Sequence, residues 1–278
     1  MDKVFKSNQT RLIELLEYID LNLGRDFNME ELASKLCLSK SRFQRVFKSY
    51  MGEPVFSYIK RRRFEHACIR LGYSSNVDLK QLSVDLNFSE QANFSRDFKK
   101  YYAISPTDFR EEFKRILKKN RRKTKITAEI IQLDKTEVLY IHEFGYYAKA
   151  SENAWEKMSY LIKNNNIIRS NLEFFGIIHD DDTITDRIDC RYDACISGFN
   201  HFSNMDAYPK KVIVGKYAKF THQGTYESIN TTYDNIFGTW LLESDHELEI
   251  TPIIEKYLNN PEEVEPTELL TEIYIPIK

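Results

Sequence analysis

Apolar residues recur at helical spacing up to about residue 118 and in short β-rich runs after Ile126, so the chain predicts two differently built parts. In the first, Leu12, Leu15, Leu16 and Ile19 form one stripe. It is expected on a helix over roughly 8–23 that Ser7 caps and Gly24 ends. Asn28 then opens a short helix, MEELASKL, with Glu30 and Glu31 where the helix dipole favours acids. Cys37-Leu38 is the turn, and Ser39 caps a helix running to about Tyr50 that Gly52 stops. Phe43, Val46, Phe47 and Tyr50 share its inward face. A short helix, a tight turn and a helix with a polar outer face make a helix-turn-helix.

The pattern repeats. Phe43, Arg45, Phe47 and Lys48 return fifty-one residues later as Phe94, Arg96, Phe98 and Lys99. VDLKQLSVDL is the supporting helix, Asn87-Phe88 the turn, Ser89 the cap, and Glu90 to about Tyr102 the second helix. Pro54 starts a long helix to about Leu71, a spacer of about 27 Å at 1.5 Å per residue. Its run Lys60-Arg61-Arg62-Arg63 is expected to touch phosphates in part. Gly72 to Asn76 is a loop, Pro106 opens a closing helix, and residues 120–125 form a basic linker.

After Ile126 the runs EVLYIHEF, EFFGIIH, CRYDACISGF, GKYAKFTHQG, PIIEKYL and TEIYIPIK predict strands. Helical segments at about 151–164 and 227–242 interrupt them. The order strand-helix-strand-strand occurs twice. His142 before Gly145-Tyr-Tyr147 and His222 before Gly224-Thr-Tyr226 stand at equivalent places in that repeat. The expected fold is therefore multidomain: an all-α double helix-turn-helix domain over 1–119, a linker at 120–125, and an α+β domain of two duplicated halves over 126–278.

Charge divides the chain at the same place. Residues 1–125 hold 27 Lys+Arg and 16 Asp+Glu, whereas residues 126–278 hold 13 and 26, so a net charge of −2 conceals a basic half and an acidic half. The basic half suits nucleic acid and the acidic half suits cations. Lys40, Ser41, Gln44, Arg45 and Lys48 on one outer face, and Gln91, Asn93, Arg96 and Lys100 on the other, are the candidate DNA-binding set. Two such helices in one chain reach adjacent major-groove faces, about 34 Å apart.

No run of eighteen apolar residues and no secretory start is present, so a cytoplasmic protein with no membrane partner is expected. The four cysteines read as buried small residues in a reducing compartment. No compact metal-ligand spacing, phosphate loop or G-x-S-x-G elbow occurs. The expectation is no metal, no cofactor, no catalytic residue and no enzyme. His142 and His222 read as structural, and Asp180-Asp181-Asp182 as an exposed loop. Duplicated halves leave a cleft, and an aromatic cleft with one acid binds flat organic cations. Glu255, in the apolar setting PIIEKY, is the chosen acid. Tyr147, Trp155, Phe220, Tyr226, Trp240, Tyr257 and Tyr274 are the aromatic candidates.

Residues 8–118, through LASKLCLSKSRFQRVFK and FSEQANFSRDFKKYYAISPTDFR, resemble the DNA-binding domain of the AraC/XylS transcription regulators. Ala103 departs from the glycine usual there, where a left-handed residue would be mildly strained. Ser41 departs from the large aromatic of some relatives. Residues 126–278, through FGIIHDD, CRYDACI, GKYAKFTHQGTYESI, IIEKY and TEIYIPI, resemble the GyrI-like effector-binding domain of Rob-like regulators. The resemblance implies a sequence-specific activator that binds double-stranded promoter DNA, works with RNA polymerase and senses a small amphipathic or cationic effector. It also implies that Glu255 pairs with the cation. The alternative it leaves is a Glu/Tyr-dependent hydrolase or a protein-partner binder attached to a DNA-binding domain.

Overall fold

The computed structural model describes residues 2–74, 77–120, 126–199 and 209–278. The chain divides into two units, Met1–Lys114 and Arg115–Lys278. The linker segment 121–125 and the loop residues 75–76 lie outside the described residues.

The first unit consists of helices α1 (Asp2–Asp20), α2 (Met29–Lys35), α3 (Lys40–Met51), α4 (Val55–Tyr73), α5 (Leu79–Asp85), α6 (Gln91–Tyr102) and the start of α7 (Pro106–Asn120), which continues past Lys114. Helix α1 begins before Ser7, so Ser7 lies inside it rather than at its start. The Asn28 side chain caps α2 by accepting the Glu31 N–H at 2.8 Å, as its sequence position requires. Both turns use a left-handed residue, Cys37 (φ 55°) and Asn87 (φ 59°). Their hydrogen bonds match: Leu38 N–H donates to Ala33 and Phe88 N–H to Ser83. At the start of α6 the cap residue is Glu90, whose carbonyl accepts from Phe94. Ser89 lies one residue too early and accepts the Asn93 amide instead, at 3.1 Å.

Helix α4 is the centre of this unit. From Tyr58 to Cys68 every residue but Lys60 and the half-buried Arg63 is buried, so solvent meets the helix mainly near its start, at Phe56, Ser57 and Lys60. Tyr58 meets Phe47 of α3 edge-on at 5.6 Å, and Phe64 sits among Phe88, Phe94, Phe98, Tyr101 and Tyr102. The spacer is thus a core shared by both helix-turn-helix units. The same burial decides the basic run. Arg61 pairs with Glu53 and Glu65, Arg62 with Asp20 and Glu65, and Lys60 with Asp97. Arg63 donates to the carbonyls of Leu23 and Arg25. The expected phosphate contact is replaced by internal pairs, because a buried guanidinium needs its acceptors inside the protein.

Helix α3 ends on Gly52 in the left-handed conformation, and α6 ends on Ala103 in the same one, φ 61°. Alanine meets a Cβ clash there that glycine avoids. Ala103→Gly is expected to stabilise this unit by about 0.5–1 kcal/mol, after the extra chain entropy of glycine is subtracted. An unchanged or lower melting temperature would refute the strain.

The second unit runs β1 (Glu129–Phe144), α8 (Tyr147–Asn164), β2 (Glu173–Ile178), β3 (Arg191–Ser197), β4 (Lys210–Gln223), α9 (Ile229–Asn235), α10 (Leu241–Glu243), β5 (Ile253–Tyr257) and β6 (Leu270–Pro276). A π-helical segment, Ile236–Trp240, joins α9 to α10. The order strand-helix-strand-strand occurs twice, as the sequence predicts. All pairings are antiparallel, and the ring β1-β3-β2-β5-β6-β4 closes through β1 and β4. Gly176↔Ala194 in the first half becomes Glu255↔Ile273 in the second, and Leu139↔Ile196 becomes Ala218↔Ile275. Each number advances by 79 (176 to 255, 196 to 275). The halves are therefore related by a local two-fold, and β2 meets β5 on it with Gly176 directly opposite Glu255.

Directly paired residues share a face. Leu139, Ala194 and Ile196 pack against α8, while Ala218, Phe220, Ile273 and Ile275 pack against α9 and its π-helical extension. The opposite face turns into the barrel and buries Tyr140, Phe175, Asp193, Cys195 and Tyr274. By the 79-residue relation His142 corresponds to Thr221, not His222: His142↔Asp193 repeats as Thr221↔Glu272. One residue of shift in a strand changes the face, so the two histidines point to opposite sides.

Candidate functional site

On the helix-bearing face, at the seam of the two halves, lies Glu255. It is 7% exposed. Its Oε1 accepts the Tyr233 hydroxyl and its Oε2 the Tyr257 hydroxyl, each at 2.7 Å. Behind Tyr257 stands Tyr192, hydroxyl to hydroxyl at 3.0 Å, and the Trp155 indole N–H donates to Tyr192 at 2.8 Å. Tyr226 closes one side, its ring edge-on to Tyr257 at 5.6 Å, and Trp155 meets the Tyr257 ring at the same separation. The groups converge from α8, β3, the turn Tyr226–Ser228, α9 and β5.

Burial pushes the Glu255 carboxyl above the usual carboxylate range, and its two phenol donors only partly offset this. Burial and the nearby carboxylate push Tyr233 and Tyr257 up. A buried acid in an aromatic pocket attracts a counter-charge, and ring faces supply the rest of an organic cation's contacts.

Of the eight residues chosen from sequence, Glu255, Trp155, Tyr226 and Tyr257 come together here. Tyr147 packs on the hydrophobic core beneath α8, and its hydroxyl donates to the Asp180 carbonyl. Phe220 and Trp240 meet edge-on at 5.0 Å inside the hydrophobic core with Ile229 and Ile236. Phe220 lies two strands from Glu255 and is core, and Trp240, half-buried on the π-helical segment, packs on it. Tyr274 follows Ile273 in β6, so it points to the other face, where its hydroxyl donates to Glu272. Tyr192 and Tyr233 were not singled out from sequence. Tyr233 falls at helical spacing with Ile229 and Ile236, the stripe that packs on the sheet, and that was its available signal.

The barrel-facing side of β3 holds a second polar cluster. Asp193 accepts from His142 at 2.5 Å and from His179 and Lys211 at 2.6 Å each. His142, His179 and Asp193 present three donor atoms within 4.8 Å, although their sequence spacing discloses nothing of the kind. The Lys211 ammonium stands on Asp193 as its cation, while the Nε2 of His142 is buried without a hydrogen-bond partner among the described residues. Beside it Arg191 and Asp180 pair at 2.7 Å, both buried. Asp180 therefore leaves the exposed acidic loop predicted for it, because the nearby Arg191 needs a partner. Among the cysteines, Cys68, Cys190 and Cys195 are buried, but Cys37 is exposed because it forms the left-handed turn.

In the first unit Lys40, Ser41, Gln44, Arg45 and Lys48 are exposed on α3, while Phe43 and Phe47 are fully buried beneath them. Val46 and Tyr50 are half-buried. On α6, Gln91, Arg96 and Lys100 are exposed, Asn93 is half-buried, and Arg96 leans on Asp97 at 3.4 Å. Arg42, not singled out from sequence, is exposed near the start of α3 as well. Among the described residues no helix is long and apolar enough to cross a membrane.

Comparison with known proteins gives two family matches. Residues 127–278 match the GyrI-like small molecule binding domain and residues 32–112 match a helix-turn-helix domain. YkgA of Escherichia coli (strain K12) is 36% identical over 104 residues, which is 37% of this chain and 42% of that protein. The transcriptional activator AarP of Providencia stuartii is 32% identical over 97 residues, 35% of this chain and 71% of that one. In the EcmrR–DNA complex of EcmrR-RPo, solved by cryo-electron microscopy, the regulator is 15% identical with a TM-score of 0.47, covering 90% of this chain and 98% of that one.

Proposed function

This chain belongs to the AraC-type transcription regulators that carry a GyrI-like small-molecule-binding domain, and from that premise we propose that it is a DNA-binding activator controlled by an organic cation held at Glu255. The observation that supports the effector half is the buried carboxylate of Glu255, ringed by Tyr233, Tyr257, Tyr226 and Trp155, with no basic side chain among the described residues hydrogen-bonded to it. Such a site favours a flat or amphipathic cation over an anion or a polar neutral molecule.

The DNA half reads promoter sequence through the outer faces of α3 and α6. Arg45 and Gln44 reach base edges, because both side chains suit bidentate pairing with guanine and adenine. Lys40, Lys48 and Lys100 neutralise phosphates, with Ser41, Gln91, Asn93 and Arg96 completing the set. RNA polymerase is the partner on the promoter, and the cytoplasm the compartment.

Arg45→Ala is expected to cost about 1–3 kcal/mol on the specific site alone, whereas Lys100→Ala weakens all duplexes alike. Fluorescence anisotropy on specific and random duplexes separates them. Equal losses on both duplexes for Arg45→Ala would remove it from base reading. For the effector half, tetraphenylphosphonium is expected to quench the fluorescence of Trp155 and to do so about 10-fold more weakly in Glu255→Gln, the loss of one charge-assisted contact. A wild-type chain that gives no response to this or other aromatic cations would sink the reading.

A further inference from the structure

Gly176 sits in the middle of β2, paired on one side with Ala194 and on the other with Glu255. Its φ is not among the positive values of this chain, so backbone conformation does not require glycine there. Space does. A Cβ at this position would lie 2.5 Å from the Tyr192 hydroxyl oxygen and 2.6 Å from that of Tyr257. The two phenols are therefore seated on the bare Cα of Gly176. Glycine inside a strand weakens it and often marks a close approach of another group.

The hydrogen bonds above that seat run one way. An indole N–H only donates, so Tyr192 accepts from Trp155. The Tyr257 proton goes to Glu255, so the proton between the two phenols belongs to Tyr192. The relay Trp155 to Tyr192 to Tyr257 ends on the carboxylate. Tyr192 is itself held by its neighbours, since Arg191 and Asp193 are anchored by Asp180 and Lys211.

We infer that Gly176 and Tyr192 are positioning residues for cation recognition: they hold the Tyr257 hydroxyl on Glu255 and so fix where the pocket's charge points. This rests on Glu255 being the cation site. It predicts a loss of charge discrimination, which a merely structural role would not produce.

The test uses the full chain, tetraphenylphosphonium as the cation and triphenylphosphine oxide as its neutral counterpart, with both affinities measured by titration. Gly176→Ala is expected to weaken cation binding about 10-fold, and Tyr192→Phe about 5-fold, with the neutral probe changed less than about 2-fold. If Gly176→Ala does not fold, Tyr192→Phe decides, because it keeps the ring and removes only the hydroxyl. Cation affinity unchanged in Tyr192→Phe, or equal losses for both probes, overturns the inference. A wild-type chain that binds neither probe overturns the cation site itself.

Discussion

Glu65→Gln is expected to lower the melting temperature of the N-terminal unit by more than about 10 °C. Glu65 takes Arg61 on Oε1 at 2.9 Å and Arg62 on Oε2 at 2.6 Å. The three side chains are 3%, 9% and 5% exposed, so water cannot replace the lost charge. Assembling such a triad costs nearly as much desolvation as it returns, but removing its acid takes a shared counter-charge from two buried guanidinium groups. The usual cost is about 3–5 kcal/mol. In a unit of this size each kcal/mol moves the midpoint by about 4–8 °C. Arg61 keeps Glu53 and Arg62 keeps Asp20, which places the effect at the lower end of that range. Thermal denaturation followed by circular dichroism measures it, and a loss below about 1 kcal/mol would show that the guanidinium groups are solvated after all.

The second large effect belongs to Asp193. Burial pushes its carboxyl up, but the Lys211 ammonium and the two imidazoles outweigh burial and hold it well below the usual range. Asp193→Asn removes the carboxylate that Lys211, 13% exposed, meets at 2.6 Å, and is expected to cost the C-terminal unit about 3–5 kcal/mol. The wild-type unit also carries a pH signature. Burial lowers the His179 pKa below 6.5, so the unfolded chain binds a proton in a window where the folded one does not. Stability is full above about pH 6.5 and falls as pH drops below it. Asp193, with its depressed pKa, adds a further loss below about pH 4. A melting temperature that does not change between pH 7 and pH 5 would contradict this assignment.

Much of the fold was legible because periodicity reports burial directly. The phenylalanines of α3 and α6 repeat at helical spacing because both helices press on α4, and the strand-helix-strand-strand order survived as two similar halves. What stayed hidden depends on distant partners. Four consecutive basic residues look the same in sequence whether they meet phosphate or Glu53, Glu65, Asp20 and Asp97. Asp180 looks like its acidic neighbours until Arg191 is placed beside it. In the pocket, Glu255 stood out as a charge in an apolar run. Tyr192 lay in a strand buried on both faces, where one tyrosine carries no mark of its role. Gly176 was invisible for a stronger reason, since its importance lies in what other side chains place above it.

The seam between β2 and β5 has a further consequence. A two-fold relation sends every position to a partner elsewhere, except on the axis, where a residue faces its own counterpart. Gly176 and Glu255 are such counterparts. In an assembly of two identical chains the same residue would stand on both sides. Two glutamates about 5 Å apart would repel and compete for one proton, and two glycines would offer no charge. Covalent fusion of the halves lets the copies differ, so one supplies the acid and the other the vacancy beside it. Broken symmetry thus leaves one buried acid on the axis of each polypeptide, so the proposed cation site occurs once in the chain.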